Sequence, residues 1–172
     1  VLGGSQGAEI FGTVIPAVIK MIKDTGHEIE VNQQSIMEQR NSLINFYKKN
    51  NIKNYVFEFE KNILKLISSS SLVITRCGAS TTAELTHTIT PFIAVPLENS
   101  IDNHQYLNAK YYENNGCCWL LEQKNFNTKN LFNLIMETIK DKNKLENIRK
   151  NMKKNYNTNV YNDIENEIKE FI

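Results

Sequence analysis

The chain has 172 residues, 41% hydrophobic and 23% charged, with 20 Lys and Arg against 19 Asp and Glu for a formal net charge of +1. That length suits one buried core of roughly 100–200 residues and excludes a disulfide miniprotein or a disordered tail. The near-neutral balance excludes wholesale nucleic-acid binding, which needs a large basic excess, and no apolar run approaches the ~20 residues of a membrane span.

Short β-branched runs alternate with longer stretches of helical period, which predicts an α/β fold: a Rossmann-like, mostly parallel sheet flanked by helices. Val1-Leu2 reads as the stub of a truncated first strand, so the sequence reads as starting inside a longer protein. A helix follows from Ala8 to Ile22, with Pro16 expected to remove a backbone bond or restart it. The next strand is predicted over Glu28–Asn32, then a helix around Ile36–Tyr47, a strand over Tyr55–Phe59, a helix around Ile63–Ile67 and a strand over Leu72–Thr75. A short helix from Ser80 to His87 leads to a strand over Phe92–Val95. His104–Glu113 is predicted helical with Leu107, Ala109 and Tyr111 inward, followed by a strand over Cys117–Leu121 and a helix with Thr128 as its N-cap. The end of the chain reads as helical and polar, one stripe running through Leu145, Ile148 and Met152 and another through Val160, Ile164, Ile168 and Phe171. Residues 140–154 carry seven basic and two acidic side chains, read as a solvated face with a weak attraction to anionic lipid as the functional alternative. Nothing divides the chain internally, which predicts one domain over 1–155 and a helical tail over 156–172. Cys77, Cys117 and Cys118 have no metal-binding spacing and read as reduced, buried thiols.

In an open α/β sheet ligands bind beyond the carboxyl ends of the strands, which directs attention to three loops. The first, Gly3-Gly4-Ser5-Gln6-Gly7-Ala8, lets backbone N–H groups approach an anion at a helix start, without the Walker or dinucleotide spacing. The second, Arg76-Cys77-Gly78-Ala79-Ser80-Thr81-Thr82-Ala83-Glu84, is again a Gly turn opening a helix, and Glu84 stands about one turn beyond Ser80, where a carboxylate can accept from a ribose diol. The third runs from Pro96 through Asp102-Asn103-His104-Gln105 to Asn108, with Asp102 or Asn103 expected to cap the helix and with amide and imidazole groups that suit sugar hydroxyls.

Together, in this order, the three loops resemble the C-terminal half of the MurG family, glycosyltransferases of family 28 with a two-domain GT-B fold; the match runs from Val1 to about Gln123. The resemblance implies that this half binds UDP-N-acetylglucosamine, without a cofactor or metal. It places Gly4, Ser5 and Gln6 at the diphosphate, with Gly78, Ala79, Ser80, Thr81 and Thr82 supplying donors beneath it. Glu84 would take the ribose hydroxyls, His104, Gln105 and Asn108 would line the sugar side, and Phe59 and Glu60 fall where the family's main chain reads uracil. Family members usually carry an aliphatic residue where this chain has Glu60. The implied reaction is an inverting transfer of N-acetylglucosamine to undecaprenyl-pyrophosphoryl-MurNAc-pentapeptide, lipid I to lipid II, in peptidoglycan synthesis at the cytoplasmic face of the bacterial inner membrane. The acceptor domain and its general base would precede Val1, leaving no catalytic residue here and an isolated chain that binds donor but transfers nothing. The alternatives are the donor half of another GT-B transferase acting on a lipid, and a non-catalytic donor-binding subunit with a separate acceptor-domain partner.

Overall fold

The computed structural model describes residues 1–4, 8–98 and 100–156. Among the described residues five short strands, β1 (Glu30–Gln34), β2 (Lys53–Phe57), β3 (Val73–Thr75), β4 (Phe92–Ala94) and β5 (Cys118–Leu120), alternate with helices. Among the described residues these helices are α1 (Glu9–Asp24), α2 (Met37–Lys49), α3 (Ile63–Ser68), α4 (Ala79–Thr88), α5 (His104–Asn114), α6 (Thr128–Lys140) and α7 (Lys142–Asn155). Every strand pairing is parallel, β1 with β2 and β3 with β4 with β5. The Val1-Leu2 stub joins the two groups: Gln34 N–H donates to the Val1 carbonyl at 3.0 Å, and Leu2 N–H to the Ile74 carbonyl at 2.9 Å. The spatial order is therefore β2, β1, stub, β3, β4, β5. With the stub as first strand this is the doubly wound order 3-2-1-4-5-6, whose topological switch lies between the stub and β3.

Both faces of the sheet are buried, as a parallel sheet requires. Along β4 the residues alternate: Ile93 and Val95 join the core under α1, α2 and α6, while Phe92 and Ala94 join the core under α3, α4 and α5. α7 belongs to the second core, with Ile148 and Met152 fully or nearly buried and Asn151 Nδ2 bonded to the Gly116 carbonyl at 3.0 Å. Its outward face is solvated, as the charge pattern predicts, with ion pairs Lys144–Glu137 and Arg149–Glu146.

Several local expectations change. β1 lies two residues later than predicted, because Gln33, polar in sequence, is buried: Tyr47 Oη donates to its Oε1 at 2.5 Å. β2 ends at Phe57, and Phe59 stands 77% exposed in the loop beyond. α1 runs through Pro16 without restarting, the ring buried among Ile15, Val18 and Ile19. On α5 the inward residue is Ala109, with Tyr112 partly buried, whereas Leu107 and Tyr111 are exposed, since residues two apart lie on different faces of a helix. The N-cap of α6 is Asn127, whose side chain accepts from Asn130 N–H, in place of Thr128. The second tail stripe lies outside the described residues. No described helix is long and apolar enough to cross a membrane.

Candidate functional site

The loops after the stub and after β3 open side by side at the switch point, where the helices on the two faces diverge. Gly4 holds φ +80, a left-handed conformation that favours glycine; Ser5 and Gln6 lie outside the described residues. Gly78 is the N-cap of α4, in extended conformation, and a Cβ there would meet nothing within 4 Å. Among the described residues no side chain caps α4, which leaves the first-turn N–H groups at Ala79, Ser80 and Thr81 available to an anion. Ala79 and Ser80 are exposed and Thr81 is half-buried. Thr82 is buried and acts from beneath, its hydroxyl donating to the Gly78 and Ala79 carbonyls at 3.2 and 3.0 Å. Glu84 is half-buried, and among the described residues its carboxylate has no hydrogen-bond or ionic partner.

The third loop closes over the second through α5. Gln105 Oε1 accepts from the N–H of Cys77 at 3.3 Å and of Leu97 at 3.0 Å, and Asn108 Nδ2 donates to the Cys77 carbonyl at 3.0 Å. Two N–H donors on one atom fix it as the amide oxygen. The Nε2 group is left without a partner among the described residues, a donor suited to a hydroxyl or phosphate oxygen. His104 is exposed in the first turn of α5. The expected side-chain cap on α5 is not made: Asn103 occupies the N-cap at φ 55 without a cap bond, and Ser100 Oγ accepts from Gln105 N–H at 3.4 Å. Asp102, at φ 50, precedes it, so two adjacent residues hold the left-handed region that Asp and Asn tolerate best.

Glu60 lies at the same edge, after β2. Its carboxylate accepts from Asn62 N–H at 2.7 Å and from Tyr55 Oη at 2.9 Å, and these bonds, the Asn62 N–H first, hold it below its usual range. The side chain thus braces its own loop.

Two residues to which the sequence assigned no role, Gln34 and the Arg76 that opens the second loop, hold these loops together. Gln34, at the end of β1, accepts from Gly3 N–H at 3.1 Å and donates to the Glu58 carbonyl at 3.1 Å, joining the first Gly-rich loop to the loop after β2. Arg76 is buried; its Nη1 donates to the Val95 and Pro96 carbonyls, both at 3.1 Å, its Nη2 to Gln123 Oε1 at 2.6 Å, and its guanidinium lies 5.1 Å from the Phe11 ring centre. A polar residue closing a strand carries no sequence signal for such bridging, because the partners are main-chain atoms of loops distant in sequence.

A cavity of about 350 Å³ lies off the switch point, between the loop after β4 (Pro96, Leu97, Glu98, Asn103), Tyr106 of α5 and the loop after β5 (Glu122, Gln123, Lys124); the third loop lines it through Pro96 and Asn103, whereas none of the residues placed on the donor by the resemblance does. Among the described residues, no three His, Cys, Asp or Glu side chains form a group that could hold a metal ion.

Residues 1–168 match the glycosyltransferase family 28 C-terminal domain. The chain is 40% identical over 148 residues to the UDP-N-acetylglucosamine:N-acetylmuramyl-(pentapeptide) pyrophosphoryl-undecaprenol N-acetylglucosamine transferase of Rickettsia prowazekii (strain Madrid E), covering 85% of this chain and 38% of the relative. It is 38% identical over 143 residues to the protein of the same description from Pelagibacter ubique (strain HTCC1062), covering 83% of this chain and 40% of that one. Its fold matches the crystal structure of Acinetobacter baumannii MurG with a TM-score of 0.83 at 22% identity, over 98% of this chain and 49% of that one. The chain thus spans about two fifths of the length of these curated relatives.

Proposed function

The chain belongs to the glycosyltransferase family 28 C-terminal domain family, and from that premise we propose that it forms the donor-binding half of an inverting hexosyltransferase. The donor is UDP-N-acetylglucosamine and the acceptor is undecaprenyl-pyrophosphoryl-MurNAc-pentapeptide, the pair named for its relatives. One observation carries this reading. The start of α4, without a side-chain cap among the described residues, opens at the switch point beneath an unobstructed Gly78, and Glu84, a carboxylate without a partner among those residues, stands in the same helix.

In this reading the diphosphate sits on the N–H groups of the Gly3–Ala8 loop and of the α4 start, Glu84 accepts from the ribose hydroxyls, and the main chain around Phe59 and Glu60 reads the base. Gln105 Nε2 and His104 face the N-acetylglucosamine hydroxyls, and Asn108 holds the Cys77 turn in place. The acceptor 4-hydroxyl attacks the anomeric carbon as the bond to the β-phosphate oxygen breaks. UDP leaves with that electron pair, its charge stabilised by oriented N–H dipoles. The hydroxyl proton passes to a base on an acceptor half outside this chain. The whole enzyme then works in peptidoglycan synthesis as a peripheral protein at the cytoplasmic face of the bacterial inner membrane, where its lipid-linked acceptor lies.

Calorimetry on the 172-residue chain tests the binding half: UDP and UDP-N-acetylglucosamine give saturable heat, and silence at millimolar ligand would overturn it. Formation of lipid II by this chain alone would overturn the division of labour between the halves.

A further inference from the structure

We propose that Arg76 is a positioning residue for the diphosphate, its buried charge biasing the site towards an anion that its side chain does not touch. The inference rests on the donor-half reading above and goes beyond its list of contacts.

The geometry is unusual for an arginine. Only 8% exposed, it makes its hydrogen bonds to neutral oxygens, the carbonyls of Val95 and Pro96 and the amide of Gln123. Among the described residues no carboxylate forms an ion pair with it. Glu98, which is exposed, makes no direct contact with it: its Oε2 accepts from Gln123 Nε2 at 3.4 Å, and its charge acts on the guanidinium through space, offsetting only part of the effect of burial. A buried cation normally has an anionic partner, because desolvating the charge is expensive and carbonyl dipoles offset it only in part. Burial accordingly pulls the guanidinium below its usual value.

Its position explains what completes the balance. Arg76 follows β3 directly, two residues before Gly78 and roughly 7 Å from it along an extended chain, and it faces the stub across the switch point, its own N–H donating to the Leu2 carbonyl at 3.2 Å. It also ties the roots of the site together: the stub through Leu2, α1 through Phe11, the loop after β4 through Val95 and Pro96, and the loop after β5 through Gln123. A diphosphate on the α4 start would supply the missing counter-charge at medium range and favour the loop arrangement that the guanidinium fork enforces.

The test compares the affinities of UDP and uridine, which share the base and ribose and differ in the diphosphate, for the wild-type 172-residue chain, Arg76→Lys and Arg76→Met. Arg76→Met is expected to lose about tenfold of the preference for UDP over uridine, the size of one charge acting over roughly 10 Å at an effective dielectric near 20. Its uridine affinity stays near that of the wild type, and Arg76→Lys retains most of the preference. If Arg76→Met weakens both ligands equally, or leaves the ratio intact, Arg76 is a structural clip and the inference is wrong. Should the methionine variant not fold, Arg76→Gln, which keeps amide donors for the carbonyls, is read by the same ratio. Failure of the wild-type chain to bind UDP at all is a different result, which overturns the donor-half reading before any variant is compared.

Discussion

Gln105 sits in the first turn of α5, yet its side-chain oxygen accepts from the main-chain N–H of Cys77, one residue before the Gly78 turn, while also holding Leu97 N–H. A residue selected as a sugar ligand is therefore also the clasp between two loops. Gln105→Ala removes both bonds and is expected to lower stability by about 1–3 kcal/mol, since it strands the partly buried Cys77 N–H, whereas the exposed Leu97 N–H can turn to water. Gln105→Glu keeps the acceptor and deletes the Nε2 donor. Calorimetry should then find UDP binding close to normal and the added affinity for the N-acetylglucosamine moiety lost; an unimpaired sugar contribution would remove Gln105 from the ligand set.

Glu84 offers the complementary case, because its carboxylate supports nothing in the described protein. Glu84→Ala should leave the thermal midpoint unchanged and weaken UDP binding by roughly 1–3 kcal/mol, the loss expected for hydrogen bonds to a charged group. Unchanged affinity would show that the ribose lies elsewhere.

For Glu60 the expectation is of the opposite kind. Its carboxylate is occupied by Asn62 and Tyr55, so Glu60→Ile should change UDP affinity by no more than the roughly twofold typical of surface substitutions. The brace itself depends on pH. Because the folded carboxyl titrates below its ordinary 4.5, the bracing contribution is full above that value and is lost as pH falls through the lower folded pKa. Carboxyl chemical shifts followed by NMR from pH 6 downwards would check both the direction and the partners.

Burial pushes the Cys77 thiol from 9.0 up to about 12. An acid group raised in this way leaves stability intact below pH 9.0 and erodes it as pH climbs towards about 12, because only the unfolded chain releases the proton there. Urea titrations between pH 8 and 11 should give a falling midpoint, with a shallower fall in Cys77→Ala. Iodoacetamide should label Cys77 only as fast as the protein opens.

Periodicity exposed the alternation of strands and helices, because burying both faces of a parallel sheet forces apolar runs that polar helix faces then separate. It misplaced β1 because Gln33 looks like a surface residue until Tyr47, fourteen positions away, is found satisfying its amide. The candidate site residues stood out because glycines and hydroxyls cluster at strand ends, a local signal. Gln34 and Arg76 were not legible as clasps, since each works on carbonyls and N–H groups that any residue could supply. The sequence named the loops; only the fold assigns which side chain holds which loop.

α7 has a consequence for how the chain is made. The five described strands have been synthesised by Leu120, but the apolar floor formed by Phe92, Ala94 and Cys118 is completed only when Ile148 and Met152 arrive. Each of those two side chains contributes on the order of 1.5–3 kcal/mol by leaving water. During translation the nascent sheet therefore waits with one greasy side uncovered while the loops after the stub and after β3 and β4 are already spelled out. A chain halted before Asn155 should be the species that holdase chaperones retain, and any shorter version made in a cell should accumulate as aggregate.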